Sequence, residues 1–366
     1  MSGFCRLTSM AVILTAIACA PQSTSLPRGK ASASLDTAWK DCIALFENGL
    51  SQPQQLHSMM IVKDGNVVKE GWFNGEGPDI PHVLFSVSKS FTATAVGYAI
   101  SEGKLSLDDA VIGFFPTLLP DNVSEHLSKM KVRHLLTMTC GHSSDPTGQI
   151  ISKDILMNRM EKTLDVDLRQ AFLAFPVEHE PGTVFCYNSL GTYMLSAIVQ
   201  EAVGEPVLDY LYPRLFEPLG IERPAWDMSK EGVNLGGWGL YLKTEDMAKF
   251  GLLLLQKGKW NGKQILPEEW VTEASSMQVE CQPADVTPEQ LDAWLEHFHL
   301  SREACDWTQG YGFQLWRSRH GFRADGMLGQ FILVLPEKNA VIAMTANIWE
   351  TQPELNFVWE TIYPAL

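Results

Sequence analysis

The chain is 366 residues long and 45% hydrophobic, an ordinary globular composition for one large domain or two intergrown lobes. Its 28 Lys and Arg face 43 Asp and Glu, a formal net charge of -15 without a basic cluster, which argues against nucleic acid as a partner. Cys5, Cys19, Cys42, Cys140, Cys186, Cys281 and Cys305 show no C-x-x-C spacing, so neither a metal nor a cofactor is expected.

The N-terminus reads as an export signal. Arg6 precedes the apolar stretch Met10 to Ala18, too short to span a bilayer as a mature helix. A signal peptide over 1–18 is therefore expected, with the chain exported to a periplasmic or outer surface; an uncleaved tail on a cytoplasmic enzyme is the alternative. Ala16-Ile17-Ala18-Cys19 resembles a bacterial lipobox, with Ala16 in place of the usual Leu, which makes Cys19 a candidate for lipidation and membrane attachment. The polar residues that follow, within 19–34, would serve as a flexible tether, and 35–366 as the folded domain.

Leu35 to Leu50 has the spacing of an amphipathic helix, with Leu35, Trp39, Ile43 and Phe46 on one side. Two β-prone runs, Met59 to Val62 and Val67 to Phe73, flank the turn Lys63-Asp64-Gly65-Asn66 and predict a hairpin. Phe85 to Glu102 is apolar on nearly all sides and ends at Gly103, which predicts a buried helix. From about 105 to 305 the signals are mainly helical: Val132 to Met138, Leu168 to Phe175, Leu190 to Val203, Val207 to Phe216, and Asp246 to Gln256 capped by Thr244. Strands return in Gly312 to Ser318, Gln330 to Leu335 and Ala340 to Ala346, and Asn356 to Tyr363 reads as a closing helix. A sheet drawn from 56–75 and 310–348, with a helix-rich lobe between, is the expected organisation.

The chemistry concentrates in Ser86-Val87-Ser88-Lys89. Residues at i and i+3 share a helix face, so the Lys89 amine can reach the Ser86 hydroxyl. The positive end of the helix favours an alkoxide on Ser86, and with burial it disfavours an ammonium on Lys89. A neutral amine beside a hydroxyl is a base beside its nucleophile. S-x-x-K alone is also how an ordinary capped helix starts, so the order and spacing of further motifs decide.

Three stretches resemble the serine β-lactamase and penicillin-binding-protein superfamily, closest to its class C β-lactamase-like and esterase-like branch. Leu84-Phe85-Ser86-Val87-Ser88-Lys89-Ser90-Phe91-Thr92 is similar to its nucleophile motif, and Pro181 to Ser189 to the segment whose tyrosine begins Y-x-N or Y-x-S. Gly329-Gln330-Phe331 through Pro336-Glu337-Lys338 to Ala346-Asn347 looks like its final hairpin, with Val132 to Thr139 and Phe216 to Gly220 in support. The resemblance implies an α/β fold of the α+β kind, β-lactamase/transpeptidase-like, with a central antiparallel sheet flanked by helices.

It implies also that Ser86 forms an acyl-enzyme, that Lys89 takes its proton, and that Tyr187 relays protons, its phenolate stabilised by the lysine; a core tyrosine is the other reading of Tyr187. The oxyanion would be held by the Ser86 N–H and one from Gly326 to Gly329. Ser189, Asp325, Gly326 and Gly329 are the candidates on the substrate and oxyanion side.

One motif departs from the pattern. The K-T-G whose cation grips a substrate carboxylate is missing, and Lys243-Thr244-Glu245 reads as a helix entrance. Asp325-Gly326 falls near the expected position, where an aspartate would repel a carboxylate, and His320 or Arg323 could substitute as the cation.

The acidic segment Glu280 to Trp307 could form a lid, with Cys281 and Cys305 either paired or free. His142 and Trp238 could line a pocket or pack as loop residues, and Trp294, His297 and His299 are assigned no role. The expected function is a serine hydrolase of an ester or amide bond with a small-molecule or peptide acyl substrate. A β-lactamase or D-Ala-D-Ala carboxypeptidase is the alternative within the family, and a non-catalytic binding or sensor protein of the same fold the alternative outside enzymes.

Overall fold

A computed structural model describes residues 25–50, 54–151, 166–284, 286–349 and 351–366. The expected signal peptide and the Cys19 lipidation site lie outside them. No helix among the described residues is long and apolar enough to cross a membrane.

Six strands form the main sheet: β1 (Gln55–Lys63), β2 (Asn66–Trp72), β3 (Trp316–Arg317), β4 (Phe322–Gly326), β5 (Gln330–Leu335) and β6 (Ala340–Asn347). Their order is β2-β1-β6-β5-β4-β3, and every neighbouring pair is antiparallel. The two ends of the chain are thus joined through β1 and β6. The β1–β2 turn takes positive φ at both Asp64 (51°) and Gly65 (77°), the twist that a two-residue hairpin turn requires.

Both faces of the sheet are covered, which explains why Met59, Met60, Ile61 and Val62 are all buried in succession. Met59, Ile61, Leu333 and Ile342 meet α1 (Ala33–Asn48) and α5 (Thr351–Phe357), while Met60, Val62, Val334 and Val341 face the larger core. At the centre of that core is α2 (Ser88–Ser101), buried from Ser88 through Ala99, with α3 (Ser189–Val203) against it. A helix apolar all round has to lie inside the molecule. The buried stripe of α1 is Leu35, Ala38, Cys42 and Phe46, so Trp39 and Ile43 sit at its margin and not at its centre.

Several local expectations are corrected. Residues 25–32 do not hang free as a tether: Leu26 is buried, the backbone at Pro27 and Gly29 bonds to Val67, and Arg28 pairs with Glu70 and Glu245. Thr244 does not cap its helix. It is the first residue of α4 (Thr244–Leu255), and its hydroxyl joins a buried cluster with Ser58 and Thr345. That helix belongs to the sheet layer and not to a separate lobe. Cys281 and Cys305 are free thiols, Cys281 donating to the Trp307 carbonyl, and the segment around them builds a small core of Val286, Leu291, Leu295 and Cys305.

Close approach of α4 to the sheet rests on Gly251, where a Cβ would lie 2.5 Å from Val341 Cγ1 and 2.7 Å from Ile332 Cγ2. Gly251→Val is expected to lose about 3 kcal/mol through overpacking, more than the helix propensity it gains, read as a lower urea midpoint at unchanged slope.

Candidate active site

The short strand His82–Val83 pairs with Tyr241–Leu242 and runs into a 3₁₀ turn, Phe85–Val87, that carries Ser86 and leads directly into α2. Phe85 sits at φ 46°, a left-handed conformation that a bulky side chain adopts only when its surroundings enforce it. The enforcement is visible on both sides. Leu84 N–H donates to Leu240 O at 2.8 Å, and Leu240 N–H donates to the Ser88 hydroxyl at 3.2 Å. On the other flank Gly326 of β4 abuts the turn so closely that a Cβ there would stand 2.4 Å from Leu84 O.

Lys89 is 2% exposed, and its amine lies 3.0 Å from Ser86 Oγ, 3.0 Å from Ser189 Oγ and 2.7 Å from Gly237 O. Among the described residues no carboxylate forms an ion pair with it. Burial pulls its pKa from 10.5 to about 7, against the opposing pull of Asp145 and Asp325. The neighbours then fix its hydrogen bonds. A carbonyl can only accept, so Gly237 O takes one N–H, Ser189 Oγ can take the other, and the lone pair is left for the Ser86 hydroxyl proton.

Ser189 opens α3, whose N-terminus is capped by the Asn188 side chain accepting from Gly191 N–H at 2.8 Å. The preceding Tyr187 is partly exposed, its ring stacked on Trp316 at 5.6 Å and 5.0 Å from the Lys89 amine, and its hydroxyl interacts with Ser86. Burial raises its pKa well above the ordinary phenol value, with Ser86 opposing. That direction favours the neutral phenol at Tyr187 over the phenolate that the resemblance implies.

Asp325 meets the buried Arg323 guanidinium at 2.9 Å and 3.0 Å. Burial raises Asp325, and Arg323 opposes that rise. Arg323 is further occupied by Asp306 O, Arg317 O and Ser318 Oγ. His320 stacks on Tyr363 at 3.7 Å, on the side of the sheet covered by the C-terminal helices. Neither replaces the missing cation, and Asp325 is a paired group. At Gly329 the space where a Cβ would stand is taken by the Glu354 carboxyl, 2.2 Å away, so its small size serves packing.

His142 is buried between Phe172 and Phe175, hydrogen-bonded to Asn188 at 2.8 Å, and pushed down to about 4 by burial; it packs and does not line a pocket. Trp238 is likewise packed, at 7% exposure.

Two contributors had no signal of their own in the sequence. Gly237 supplies a carbonyl, and Asp145, bonded to Thr147 N–H at 2.9 Å, acts on Lys89 through its charge. A surface hollow lined by Tyr98, Ser101, Gln264 and Glu268 lies at the far end of α2, about 20 Å away by helix rise, and is unconnected with this chemistry.

A family model described as Beta-lactamase matches residues 54–363. The 6-aminohexanoate-dimer hydrolase of Paenarthrobacter ureafaciens is 26% identical over 219 residues, 58% of this chain and 55% of that protein, so the chain spans about half of that relative. Penicillin-binding protein 4 of Amycolatopsis lactamdurans is 26% identical over 298 residues, 72% of this chain and 71% of the relative. Among solved structures, a D-stereospecific amidohydrolase from a Streptomyces species aligns with TM-score 0.62 at 18% identity, covering 88% of this chain and 97% of that one.

The buried amine has a stability signature. The unfolded chain keeps the Lys89 proton up to about pH 10.5 and the folded chain releases it near pH 7, so folding expels a proton between these values and stability rises with pH across that window. Lys89→Met removes this burden. Its stability advantage over the wild type should be greatest at pH 7 and below and shrink toward pH 10.5, measured by chemical denaturation in a pH series.

Proposed function

Because the chain belongs to the β-lactamase family over residues 54–363 it is a serine hydrolase, and we propose that it hydrolyses an ester or amide bond through an acyl-enzyme on Ser86, with Lys89 as general base and Tyr187 as proton relay. The observation that supports this most is the buried Lys89 amine, without an ion pair among the described residues, 3.0 Å from Ser86 Oγ. In acylation Ser86 Oγ bonds to the substrate carbonyl carbon while its proton passes to the Lys89 lone pair. The Ser86 N–H and a backbone N–H near Gly326 receive the oxyanion. Lys89 then returns the proton by way of the Tyr187 phenol to the leaving oxygen or nitrogen as its bond to carbon breaks. Water repeats the sequence: it loses a proton to Lys89, bonds to the acyl carbon and expels Ser86 Oγ, which regains the proton.

Substrate charge follows from what surrounds the amine. Arg323 is spent on Asp325 and His320 is remote, so neither is offered to a substrate carboxylate, and among the described residues the charges that act on Lys89 are those of Asp145 and Asp325. A neutral or amine-bearing acyl group fits best. The names of two relatives, an aminohexanoate-dimer hydrolase and an amidohydrolase, favour an amide. The β-lactamase or D-Ala-D-Ala carboxypeptidase alternative draws on the likeness to a penicillin-binding protein.

A fluorophosphonate should label Ser86 by peptide mapping, and Ser86→Ala should abolish both labelling and turnover. Mapping to another serine overturns the mechanism. Tyr187→Phe should lower kcat about 10²–10⁴-fold, and the wild-type rate should fall below about pH 7 as Lys89 takes up its proton. A panel of short esters, D-amino-acid amides and nitrocefin then separates the substrate classes, with esters and amides expected to turn over and nitrocefin not.

A further inference from the structure

Away from the Ser-Lys pair, three side chains that can ligate a metal converge from three separate segments. They are His57 on β1, Glu76 on the loop after β2, and His82 on the strand that leads into the nucleophile turn. Their ligand atoms all lie within 4.8 Å of one another. The His57 and His82 rings are stacked with centroids 5.8 Å apart, and His82 Nε2 stands 3.8 Å from Glu76 Oε2. That separation is too long for a hydrogen bond. His82 Nε2 is a buried nitrogen with no hydrogen-bond partner, on a residue 8% exposed, and it is aimed into the cluster. A buried polar atom left in this way is costly unless something else satisfies it.

The backbone is shaped to bring the three together. The pairing of β1 with β6 shifts register between Leu56 and Ser58, which makes His57 the bulged residue, and bulges re-aim a side chain. Phe73 N–H donates to His57 O, and Asn74 donates to Leu56 O, fastening the Glu76 loop to that bulge. Asn74 (φ 56°) and Gly75 (φ 86°) turn the chain so that Glu76 comes back over it. Burial lowers both histidines from their ordinary value, which leaves each imidazole with a free lone pair.

We propose that His57, Glu76 and His82 form a three-ligand site for a borderline divalent cation of the zinc class, with a water in the fourth position. Two nitrogens and one carboxylate oxygen are the donor set such ions take, at about 2.0–2.2 Å, which places tetrahedral ligand atoms about 3.3 Å apart. Closing the cage draws the ligand atoms, now within 4.8 Å of one another, together by about 1.5 Å at most. Cysteine spacing could not announce this site, because it contains no cysteine. It is separate from the acyl-transfer machinery and acts as a clamp, tying β1 and the 73–80 loop to the strand four residues ahead of Ser86.

The test is calorimetric titration of the chelator-treated full chain with zinc chloride, together with the visible spectrum of the cobalt-loaded protein. One zinc per chain is expected, with a rise in Tm that grows with free metal. Glu76→Gln and His57→Gln should each weaken binding at least about tenfold, with unchanged far-UV circular dichroism and unchanged turnover of the metal-free enzyme. Absence of stoichiometric binding, wild-type affinity in both variants, or a thiolate-to-cobalt band placing the ion on a cysteine would each overturn the assignment.

Discussion

The removal of one amine from water governs the architecture around it. Lys89 is held by a hydroxyl from the 3₁₀ turn, a hydroxyl from the start of α3 and a carbonyl from the Gly236–Gly239 loop, and none of the three carries charge. The balance is narrow. A carboxylate at 4 Å in a medium of effective dielectric 20 would contribute about 4 kcal/mol, close to three pKa units, and would return the amine to an ammonium. Asp145 and Asp325 are both near enough to be felt, and each is restrained by other partners: Asp145 by the backbone of Thr147 and Ser189, Asp325 by Arg323. The acids around the site are as much a part of its design as the amine.

Holding three segments in register around a buried amine requires polar ties that bury no free charge. Gln314 provides several of them. Its side chain donates to Leu135 O and Leu136 O and accepts from Thr192, and its carbonyl accepts from Ser90, so one amide joins α2, α3 and the helix Val132–Leu136. Thr92 reaches Gly236 O at 2.9 Å and positions the loop that carries Gly237. Gly237 must be glycine, because a Cβ there would stand 2.5 Å from Ser189 O. Such networks are strong when every member is satisfied, and the donors and acceptors match here.

What the sequence disclosed was what is local or periodic. The Ser86–Lys89 relation spans a single turn, β5 coincides with its expected range, and α3 ends at Gly204 with φ 82°. What it concealed depends on distant segments. Strand β4 was not seen because Arg323 and Asp325 interrupt its apolar pattern, and only their mutual pairing makes them internal. The same pairing removes Arg323, a candidate cation by sequence, from a substrate's reach. Gly237 and Asp145 enter the site through loop closure, for which no spacing rule exists. The length of the 3₁₀ turn, and the left-handed Phe85 within it, are likewise tertiary consequences.

Phe85 shows how such a consequence is maintained. A non-glycine residue at positive φ costs roughly 1–3 kcal/mol and persists only where its neighbours determine it. Here the strand His82–Val83, the Leu84–Leu240 and Leu240–Ser88 hydrogen bonds, and the bare backbone of Gly326 leave the chain a single course. Relaxing Phe85 would turn Ser86 away from Lys89, because the hydroxyl follows directly on the strained residue while the amine is fixed from three sides. Under the proposed mechanism the strain is thus coupled to the base: it places the Ser86 hydroxyl where the Lys89 lone pair already points, so that the contact exists before any substrate arrives and binding need not create it.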